Sequence, residues 1–338
     1  MIVTFGEILM RLTPPGYLRL GQTRQLEMTF GGAEANAAVS LANYGKAARL
    51  VTALPDNDIG AACLGELRRW GVDTSAVLTR PGRMGLYFCE RGASQRPTKV
   101  LYDRAETVIA HMDEGDFDWP CLLDGAEWFH FTGITPALSD GLARAALAAC
   151  REAKRRGIPV SCDLNYRRKL WGREKAGQVM AGLLPYTDVL ITNGEEAAEL
   201  FGIFPAGDPI VDGQPCTEGY RSVAEQLAAR FDLQKVAVTR RESVSASCNR
   251  WAAVLYDDGR LYASRQYTIQ IVERVGGGDG FAGGLIYALT EGFDNQAALE
   301  FAAAAACLKH TIEGDFNAVS AAEVLALMEG DGTGRVQR

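Results

Sequence analysis

The sequence lacks the features that mark membrane, nucleic-acid-binding and secreted proteins. No apolar run approaches the roughly 20 residues that a helix needs to cross a bilayer. No stretch is basic, and 35 Lys and Arg against 42 Asp and Glu leave a net charge of −7, which disfavours a surface for duplex DNA or RNA. Residues 1–6 read as a strand without the basic segment of a signal peptide. We therefore expect a cytoplasmic protein with no membrane or nucleic-acid partner.

Cysteine pairs and catalytic histidine arrangements are absent as well. The eight cysteines are far apart, at positions 63, 89, 121, 150, 162, 216, 248 and 307, and form no C-x-x-C pair. This spacing favours reduced thiols and disfavours a structural zinc site, whose ligands come in close pairs. No Ser or Cys stands with a His and an Asp in a hydrolase pattern, and His130 in an apolar strand is predicted to be a core histidine.

What the 338 residues do contain is an alternation of short apolar strands with amphipathic helices. The predicted strands are Ile2–Phe5, Ala48–Leu54, Trp128–Thr132, Pro159–Asp163, Val189–Thr192 and Lys235–Thr239. The predicted helices are Ala35–Tyr44, Ile59–Trp70, Ser139–Arg156, Ser222–Arg230, Gly278–Thr290, Gln296–His310 and Ala321–Met328. Strands that are apolar at consecutive positions are typical of a parallel sheet buried on both faces. The pattern predicts the α/β class, with a doubly wound, mostly parallel sheet flanked by helices in a single domain over residues 1–338.

Two segments, residues 12–31 and 84–105, interrupt this alternation. The second contains two extended runs, Gly85–Glu90 and Thr98–Arg104, joined by polar residues, which predicts a β-hairpin. Both segments carry polar residues suited to recognition, and open α/β sheets bind ligands at the ends of their strands. We predict that the two segments form a small inserted β lid, whose exposed edge favours a homodimer or a higher oligomer.

A glycine run followed by an aspartate is the most informative stretch of the sequence. Gly276, Gly277 and Gly278 stand at the start of a predicted helix, and Asp279 lies in its first turn. Backbone N–H groups at a helix N-terminus converge on anions such as phosphate. A carboxylate beside them can accept the proton of an attacking hydroxyl while the amides stabilise the transferring phosphoryl group. The run predicts a phosphoryl-transfer site with Asp279 as the base; the alternative is a glycine turn that Asp279 merely caps.

Two further motifs accompany this run. Gly31 and Gly32 open a helix that places Asn36 to bind a polyol, and Asn193 and Glu196 form an N-x-x-E motif that could also be a helix N-cap with an acidic first turn. Together with G-G-G-D, these motifs resemble the PfkB, or ribokinase-like, family of sugar kinases over nearly the whole chain. The resemblance implies a ribokinase-like fold and an ATP-dependent sugar kinase, with Mg²⁺ held largely through water and nucleotide oxygens. It leaves a monovalent cation such as K⁺ open.

The resemblance also implies a role for each candidate site residue. Asp279 would act in catalysis, with the amides of Gly276, Gly277 and Gly278 as the anion site. Substrate binding would involve Gly31, Gly32, Asn36, Tyr87, Tyr102, Arg104 and Arg167, and nucleotide binding would involve Asn165, Asn193, Glu196, Thr239 and Asn317. Glu196 would also hold magnesium through water. Arg167 could instead face the phosphates of ATP, and the two tyrosines could be ordinary lid packing.

Longer segments narrow the resemblance to the subgroup of kinases that phosphorylate 2-keto-3-deoxygluconate. These segments are residues 6–12, 92–97, 102–104, 163–171, 240–247 and 309–317. Unlike a neutral sugar, this substrate carries a carboxylate, which the planar fork of an arginine binds bidentately. Arg104 and Arg167 are the arginines expected to bind it, and the expected product is 2-keto-3-deoxy-6-phosphogluconate.

Two departures from the family pattern keep alternatives open. Residues 273–275 read Glu-Arg-Val where Asp-Thr usually precedes the glycine run, and residues 240–244 replace a Gly-x-x-Gly nucleotide loop after Thr239. The second departure leaves the ATP contacts undetermined. A kinase for a neutral sugar such as fructose or for another keto sugar acid is one alternative, and a non-catalytic sugar- or nucleotide-binding protein is another. A nicotinamide dehydrogenase is disfavoured because the first strand leads to no dinucleotide fingerprint.

Overall fold

The computed structural model describes residues 1–205, 210–211, 214–215 and 217–330. The strands are β1 (Ile2–Phe5), β2 (Leu9–Thr13), β3 (Glu27–Gly31), β4 (Ala48–Pro55), β5 (Val77–Arg80), β6 (Leu86–Glu90), β7 (Lys99–Asp103), β8 (Trp128–Thr132), β9 (Val160–Asp163), β10 (Val189–Asn193), β11 (Ile210–Val211), β12 (Gln214–Pro215), β13 (Lys235–Ser245), β14 (Cys248–Asp257), β15 (Arg260–Ala263) and β16 (Tyr267–Gln270). The helices are α1 (Ala33–Asn43), α2 (Asp58–Arg69), α3 (Trp119–Leu122), α4 (Ile134–Leu138), α5 (Asp140–Arg155), α6 (Arg173–Leu183), α7 (Gly194–Phe201), α8 (Thr217–Phe231), α9 (Gly277–Thr290), α10 (Asn295–Lys309) and α11 (Ala321–Glu329).

A ten-stranded sheet forms the body of the molecule. Its strands follow the order β15-β14-β13-β10-β9-β8-β1-β4-β5, and β16 also pairs with β14. The strands from β13 to β5 are parallel to their neighbours, whereas β14, β15 and β16 add antiparallel pairs at one edge. The carboxyl ends of the parallel strands therefore meet along one edge of the sheet, where open α/β folds bind their ligands.

Consecutive residues of the central strands are buried on opposite faces of this sheet. In β1, Ile2 belongs to the core that includes α1, α2, α9 and α10, whereas Val3 and Phe5 belong to the core that includes α5, α6 and α8. A strand covered by helices on both faces needs apolar side chains at every position, which explains the continuous apolar runs. The predicted doubly wound, mostly parallel sheet is confirmed.

A second sheet, of four strands in the order β3-β2-β6-β7, forms the lid. Strand β2 pairs antiparallel with β3 and parallel with β6, and β6 and β7 form the predicted hairpin. The small β lid is thus confirmed. It begins at Leu9, earlier than expected, because β2 follows β1 after the short connection Gly6–Ile8. Both interrupting segments of the sequence belong to this one sheet.

Lys235–Thr239 is the last strand that the sequence patterns identified, and the structure extends it and adds three more strands. Strand β13 continues to Ser245 and turns back into β14, with Arg240 opposite Ala252 and Ser243 opposite Asn249. Residues 240–244, which were expected to replace a nucleotide loop, are therefore paired strand. Their polar side chains resemble a loop in sequence because this end of the hairpin is largely exposed to solvent.

The helices, the cysteines and His130 were also subjects of predictions from the sequence. No helix in the described ranges is long and apolar enough to cross a membrane. The cysteines of the described residues are free thiols, while Cys216 lies outside those residues. His130 is a buried core histidine, with Nδ1 2.8 Å from Ser161 Oγ, and burial lowers its pKa to about 4.

A buried group of charges connects the lid sheet to the body. Arg11 on β2 is 1% exposed, and its guanidinium donates to Asp315 Oδ1 at 2.6 Å and to Glu273. Tyr87 on β6 donates its hydroxyl to Asp315 Oδ2 at 2.5 Å. We call Arg11, Glu273, Asp315 and Tyr87 the Arg11 cluster. Because Glu273 precedes α9 and Asp315 follows α10, the cluster holds both segments against the lid.

Replacing the central cation should strongly destabilise the fold. Arg11→Met leaves two buried carboxylates without their partner, and breaking a buried ion pair from one side costs about 3–5 kcal/mol. We expect a loss of this size in the free energy of unfolding, measured by urea denaturation. The matched control is Arg155→Met, which removes an exposed arginine paired with Glu152 on α5 and should leave stability unchanged. Equal stability of the two variants would contradict the role of the cluster.

Candidate active site

A cavity of about 630 Å³ lies between the carboxyl edge of the main sheet and the lid. Its walls come from the ends of β9 and β10, the β3–α1 junction, the start of α9 and the inner face of the lid. The predicted site residues that line it are Gly31, Gly32, Asn36, Tyr87, Tyr102, Arg104, Asn165, Arg167, Asn193, Glu196, Thr239, Gly276, Gly277, Gly278 and Asp279. The fold therefore brings nearly all of them into one cavity.

The glycine run forms the N-terminus of α9 in the cavity wall. Gly276 has a φ of +86°, and a Cβ on it would lie 2.2 Å from the carbonyl oxygen of Asp315, so a larger residue does not fit. Helix α9 begins at Gly277, and the amides of its first turn have no carbonyl partner within the helix. These amides, together with the positive end of the helix dipole, favour an anion in the cavity.

Asp279 extends from the first turn of α9 into the same cavity. Its Oδ2 accepts a hydrogen bond from Asn36 Nδ2 at 2.6 Å. Burial raises the pKa of the Asp279 carboxyl to about 6, although this hydrogen bond and the charge of Arg167 oppose the increase. A carboxylate with a pKa close to neutral, next to an anion site, has the properties of a general base.

Asn36, which is predicted to bind a polyol, contacts Asp279 in the structure. Its Nδ2 donates to Asp279 and its Oδ1 accepts from the backbone N–H of Gly32 at 3.2 Å. Both ends of the amide are engaged because α1 packs directly against α9. Asn36 therefore orients the carboxylate of Asp279.

The start of α1 is held in place by a buried glutamate that the sequence analysis did not single out. Glu34 Oε1 accepts hydrogen bonds from the backbone N–H of Thr132 at 3.0 Å, from Thr132 Oγ1 at 2.7 Å and from Thr135 Oγ1 at 2.8 Å. Burial raises the pKa of Glu34 to about 7. These bonds fix α1 against β8 and α4, and so determine where Asn36 meets Asp279.

Two buried carboxylates, Asp163 at the end of β9 and Glu196 in the first turn of α7, also line the cavity. Burial, and then the charge of Glu196, raise the pKa of Asp163 well above its usual value. Burial also raises the pKa of Glu196, and Arg167 opposes both shifts. Two carboxylates so close together favour an additional cation, which fits magnesium bound with nucleotide oxygens. Within the described residues, no three His, Cys, Asp or Glu side chains form a metal-binding group.

The N-x-x-E motif is a helix cap as well as part of the cavity wall. Asn193 Oδ1 accepts from the N–H of Glu196 at 2.9 Å, and Glu196 Oε2 accepts from the N–H of Asn193 at 3.2 Å. Glu196 Oε1 accepts from the N–H of Tyr166 at 3.1 Å. Nearby, Thr239 Oγ1 donates to the carbonyl oxygen of Thr192 at 3.2 Å. The capping interpretation is therefore right, and it fixes both motif side chains at the cavity.

The lid contributes two tyrosines that have different environments. Tyr87 is buried and donates its hydroxyl to Asp315, so its proton is already engaged within the protein. Tyr102 is 44% exposed, its ring centroid lies 5.7 Å from that of Tyr87, and the guanidinium carbon of Arg104 lies 4.9 Å from its ring centroid. Of the two hydroxyls, that of Tyr102 is the one placed to meet a substrate.

Arg104 is paired with a carboxylate that the sequence analysis missed. Its Nε donates to Glu7 Oε2 at 2.9 Å, and its Nη2 donates to the same oxygen. Glu7 follows β1, is 2% exposed and has a pKa that burial raises despite the charge of Arg104. Within the described residues, Glu7 Oε1 is buried and has no hydrogen-bond partner.

Two arginines from the unusual segments lie at the cavity near the glycine run. Arg241 belongs to β13, and Arg274 precedes α9. Arg274 donates to Ser243 Oγ at 3.2 Å, to the carbonyl oxygen of Ser245 at 3.0 Å and to Asn249 Oδ1 at 3.1 Å. The β13–β14 hairpin therefore brings positive charge to the part of the cavity where the sequence left the ATP contacts open.

Asn317, the remaining residue predicted to bind the nucleotide, does not line the cavity and is buried behind its wall. Its side chain is 1% exposed, and its Nδ2 donates to the hydroxyl of Tyr44 at 3.0 Å. Its carbonyl oxygen accepts from Asn43 Nδ2 at 2.8 Å. These bonds attach the segment after α10 to α1, so Asn317 has a structural role.

Besides Glu34, sequence reasoning missed other charged residues at or beneath the cavity, among them Glu7, Asp163, Lys309 and Asp315. Glu7 and Asp163 stand at the carboxyl ends of buried parallel strands, a signal that could have identified them. Lys309 ends α10 and donates to carbonyl oxygens of the segment that follows, whereas Asp315 meets Arg11 and Tyr87 of the lid. No local pattern shows that either side chain is buried beneath the cavity.

Known proteins resemble the chain along its length. The sequence model of the pfkB family of carbohydrate kinases matches residues 1–321. The chain belongs to the PfkB family. This PfkB chain is 33% identical over 335 residues to a 2-dehydro-3-deoxygalactonokinase of Haloferax volcanii, with 98% of each chain covered.

Solved structures agree with this assignment. The structure of a 2-dehydro-3-deoxygluconokinase from Thermotoga maritima has a TM-score of 0.93 and 47% identity, covering 97% of this chain and 98% of that one. A fructokinase from Xylella fastidiosa with bound ATP shares the fold, with a TM-score of 0.77, 24% identity and coverage of 97% and 98%. The resemblance seen in the sequence is confirmed, and the protein is a sugar kinase.

The pKa of Asp279 predicts how activity depends on pH. A base must be deprotonated to accept a proton, so kcat should fall about tenfold per pH unit below about pH 6, where the Asp279 carboxyl is protonated. The measurement is kcat from pH 5 to 8 at saturating ATP, magnesium and sugar. The residual activity of Asp279→Asn should lack this decline. An identical decline in both proteins would assign the titration to another group.

Proposed function

We propose that this PfkB kinase transfers the terminal phosphoryl group of ATP to 2-keto-3-deoxygluconate, also called 2-dehydro-3-deoxygluconate, and forms 2-keto-3-deoxy-6-phosphogluconate. The observation that carries the proposal is the position of Asp279. Its carboxylate, with a pKa raised by burial to about 6, lies beside the free amides of α9 and in the same cavity as Arg104 of the lid. Relatives named for the gluconate and galactonate forms of this sugar acid support the substrate class.

The residues of the cavity have separate roles in the proposed reaction. The sugar binds between the lid and the Gly31–Gly32 turn, with Tyr102 donating or accepting a hydroxyl hydrogen bond. Asp279, oriented by Asn36, accepts the proton of the attacking hydroxyl. The amides at the start of α9 stabilise the negative charge of the transferring phosphoryl group. Enclosure by the lid keeps water from competing with the sugar.

The nucleotide occupies the part of the cavity beside the β13–β14 hairpin. Arg241 and Arg274 supply positive charge there, while Asn165, Asn193 and Thr239 line the adjacent wall. Asp163 and Glu196 would hold magnesium, Glu196 through water, because both carboxylates line the cavity and their like charges favour a nearby cation. When bound, magnesium neutralises phosphate charge and aligns the terminal phosphoryl group.

The carboxylate of the sugar acid lies between Arg104 and Arg167. Arg104 is pre-oriented by its two hydrogen bonds to Glu7, so a planar carboxylate meets a guanidinium that is already fixed. Arg167 is exposed into the cavity, where its charge lowers the pKa values of Asp163 and Asp279. The two arginines thus provide the charge-assisted contacts that a neutral sugar does not need.

We also propose that the protein acts as a cytoplasmic homodimer or higher oligomer formed through its lid. Strands β3 and β7 are the free edges of the lid sheet. Met28 on β3 is 54% exposed and Leu101 on β7 is 56% exposed. Pairing across a two-fold axis would cover these edges and apolar side chains.

The proposed base can be tested with Asp279→Asn. Asparagine keeps the size of the side chain but accepts no proton at neutral pH, and loss of a positioned base lowers kcat about 10²- to 10⁴-fold. The measurement is coupled ADP release in a screen of sugars and sugar acids with ATP and magnesium. The control is Asp58→Asn, an aspartate in the first turn of α2 and outside the cavity, which should keep full activity. A stable Asp279→Asn protein with normal kcat would exclude Asp279 as the base.

The proposed carboxylate contact can be tested with Arg167→Met and its neighbour Arg168→Met. Arg168 pairs with Glu199, so its loss should be silent. A hydrogen bond to a charged group contributes about 1.5–3 kcal/mol, so Arg167→Met should lower kcat/KM for 2-keto-3-deoxygluconate roughly ten- to a hundredfold. The same variant should change fructose turnover little. Equal losses on both sugars, with a raised KM for ATP, would place Arg167 at the phosphates instead.

A further inference from the structure

Lys309 is a fully buried lysine that the proposed reaction has not used. It is the last residue of α10 and is 0% exposed. Its ammonium donates to the carbonyl oxygen of Gly314 at 2.8 Å and to that of Ile312 at 3.2 Å. A buried ammonium is costly unless it is compensated, so its retention at this point calls for a specific explanation.

The ammonium lies directly behind the anion-binding glycine run. A Cβ on Gly276 would come within 2.9 Å of Lys309 Cε, so the lysine stem touches the residue that begins the run. The charge of Lys309 also lowers the pKa of Asp279, which places it within electrostatic range of the base. Lys309 is therefore a fixed positive charge beneath the transferring phosphoryl group.

The Lys309 ammonium also compensates the negative charge of nearby carboxylates. It lies near the Arg11 cluster, where Glu273 and Asp315 each favour its charged form while burial lowers its pKa to about 8. Arg11 and Lys309 face these two carboxylates, and Arg91 Nε also lies 3.7 Å from Glu273 Oε2. Without Lys309, the negative charge of the carboxylates would be less well compensated under a loop that binds phosphates.

We propose that the Lys309 ammonium is a covalently attached monovalent cation for this kinase, and that phosphoryl transfer consequently needs no added K⁺ or NH₄⁺. Lys309 is a positioning residue that acts through the Gly276 turn. An ammonium and a potassium ion carry the same charge and both bind carbonyl oxygens. The proposal rests on the assignment of the glycine run as the phosphoryl site under Proposed function.

The same geometry predicts what removal of the ammonium creates. Lys309→Met keeps most of the apolar stem but leaves the carbonyl oxygens of Ile312 and Gly314 without their donor, near carboxylates that have lost one of their cations. These are the elements of a site for a small monovalent cation. Added NH₄⁺ or K⁺ should therefore restore what the substitution removes.

The experiment compares kcat in choline, Na⁺, K⁺ and NH₄⁺ salts at constant ionic strength, with whichever sugar the substrate screen finds to be phosphorylated. The wild-type kinase should vary less than twofold among the salts. Lys309→Met should lose about ten- to a hundredfold in kcat in choline. It should regain activity in a saturable manner with NH₄⁺ or K⁺. The control Lys46→Met removes a lysine paired with Glu291 outside the cavity and should behave as wild type.

Each other result overturns the proposal. A wild-type enzyme that needs added K⁺ shows that the ammonium does not replace a free cation. A folded Lys309→Met variant with normal kcat in choline, or with a loss that no cation reverses, shows a merely structural lysine. If neither Lys309→Met nor Lys309→Gln folds, the wild-type salt comparison decides alone. Because the assay uses any accepted sugar, an error in the proposed substrate leaves this test intact.

Discussion

The pairing of buried Arg11 with two carboxylates joins the lid sheet to the segments before α9 and after α10. Glu273 and Asp315 come from segments far from Arg11 in the chain, yet their oxygens meet its guanidinium in a site closed to water. Buried charges are tolerated only when every partner is present. Three parts of the chain must therefore assemble together: strand β2 of the lid, the segment before α9 and the segment after α10. Their assembly creates the cavity.

The charges around this cavity suit two anionic reactants, ATP and a sugar acid, because arginines line two parts of it and carboxylates lie between them. Arg241 and Arg274 line the part beside the β13–β14 hairpin, and Arg104 lines the lid. Between them, burial raises the pKa values of Asp163 and Asp279, so the central carboxylates hold protons more readily than exposed ones. Under the proposed function, the cations would attract the two reactants, and the carboxylates between them would serve as the base and hold magnesium.

The lid is a structural part of the site as well as its cover. Tyr87 fastens its inner strand to Asp315, and the turn between β6 and β7 reaches the β13–β14 turn. There, the N–H of Ala246 donates to the carbonyl oxygen of Ser94 at 2.7 Å, and the N–H of Ser94 donates to Ser247 Oγ at 2.9 Å. The lid therefore contacts both Asp315, in the segment after α10, and the β13–β14 hairpin.

Local patterns were enough to predict the fold class and most of the residues that line the cavity, because apolar periodicity, glycine runs and the G-G-G-D motif are read from neighbouring residues. The contacts of those residues depend on how distant segments pack. Only the packing of α1 on α9 shows that Asn36 holds Asp279, and only the approach of Asp315 shows that the Tyr87 hydroxyl is engaged. Lys309 shows the same limit: its carbonyl partners lie within five residues, but only the folded structure brings Glu273 and the Gly276 turn to its buried ammonium.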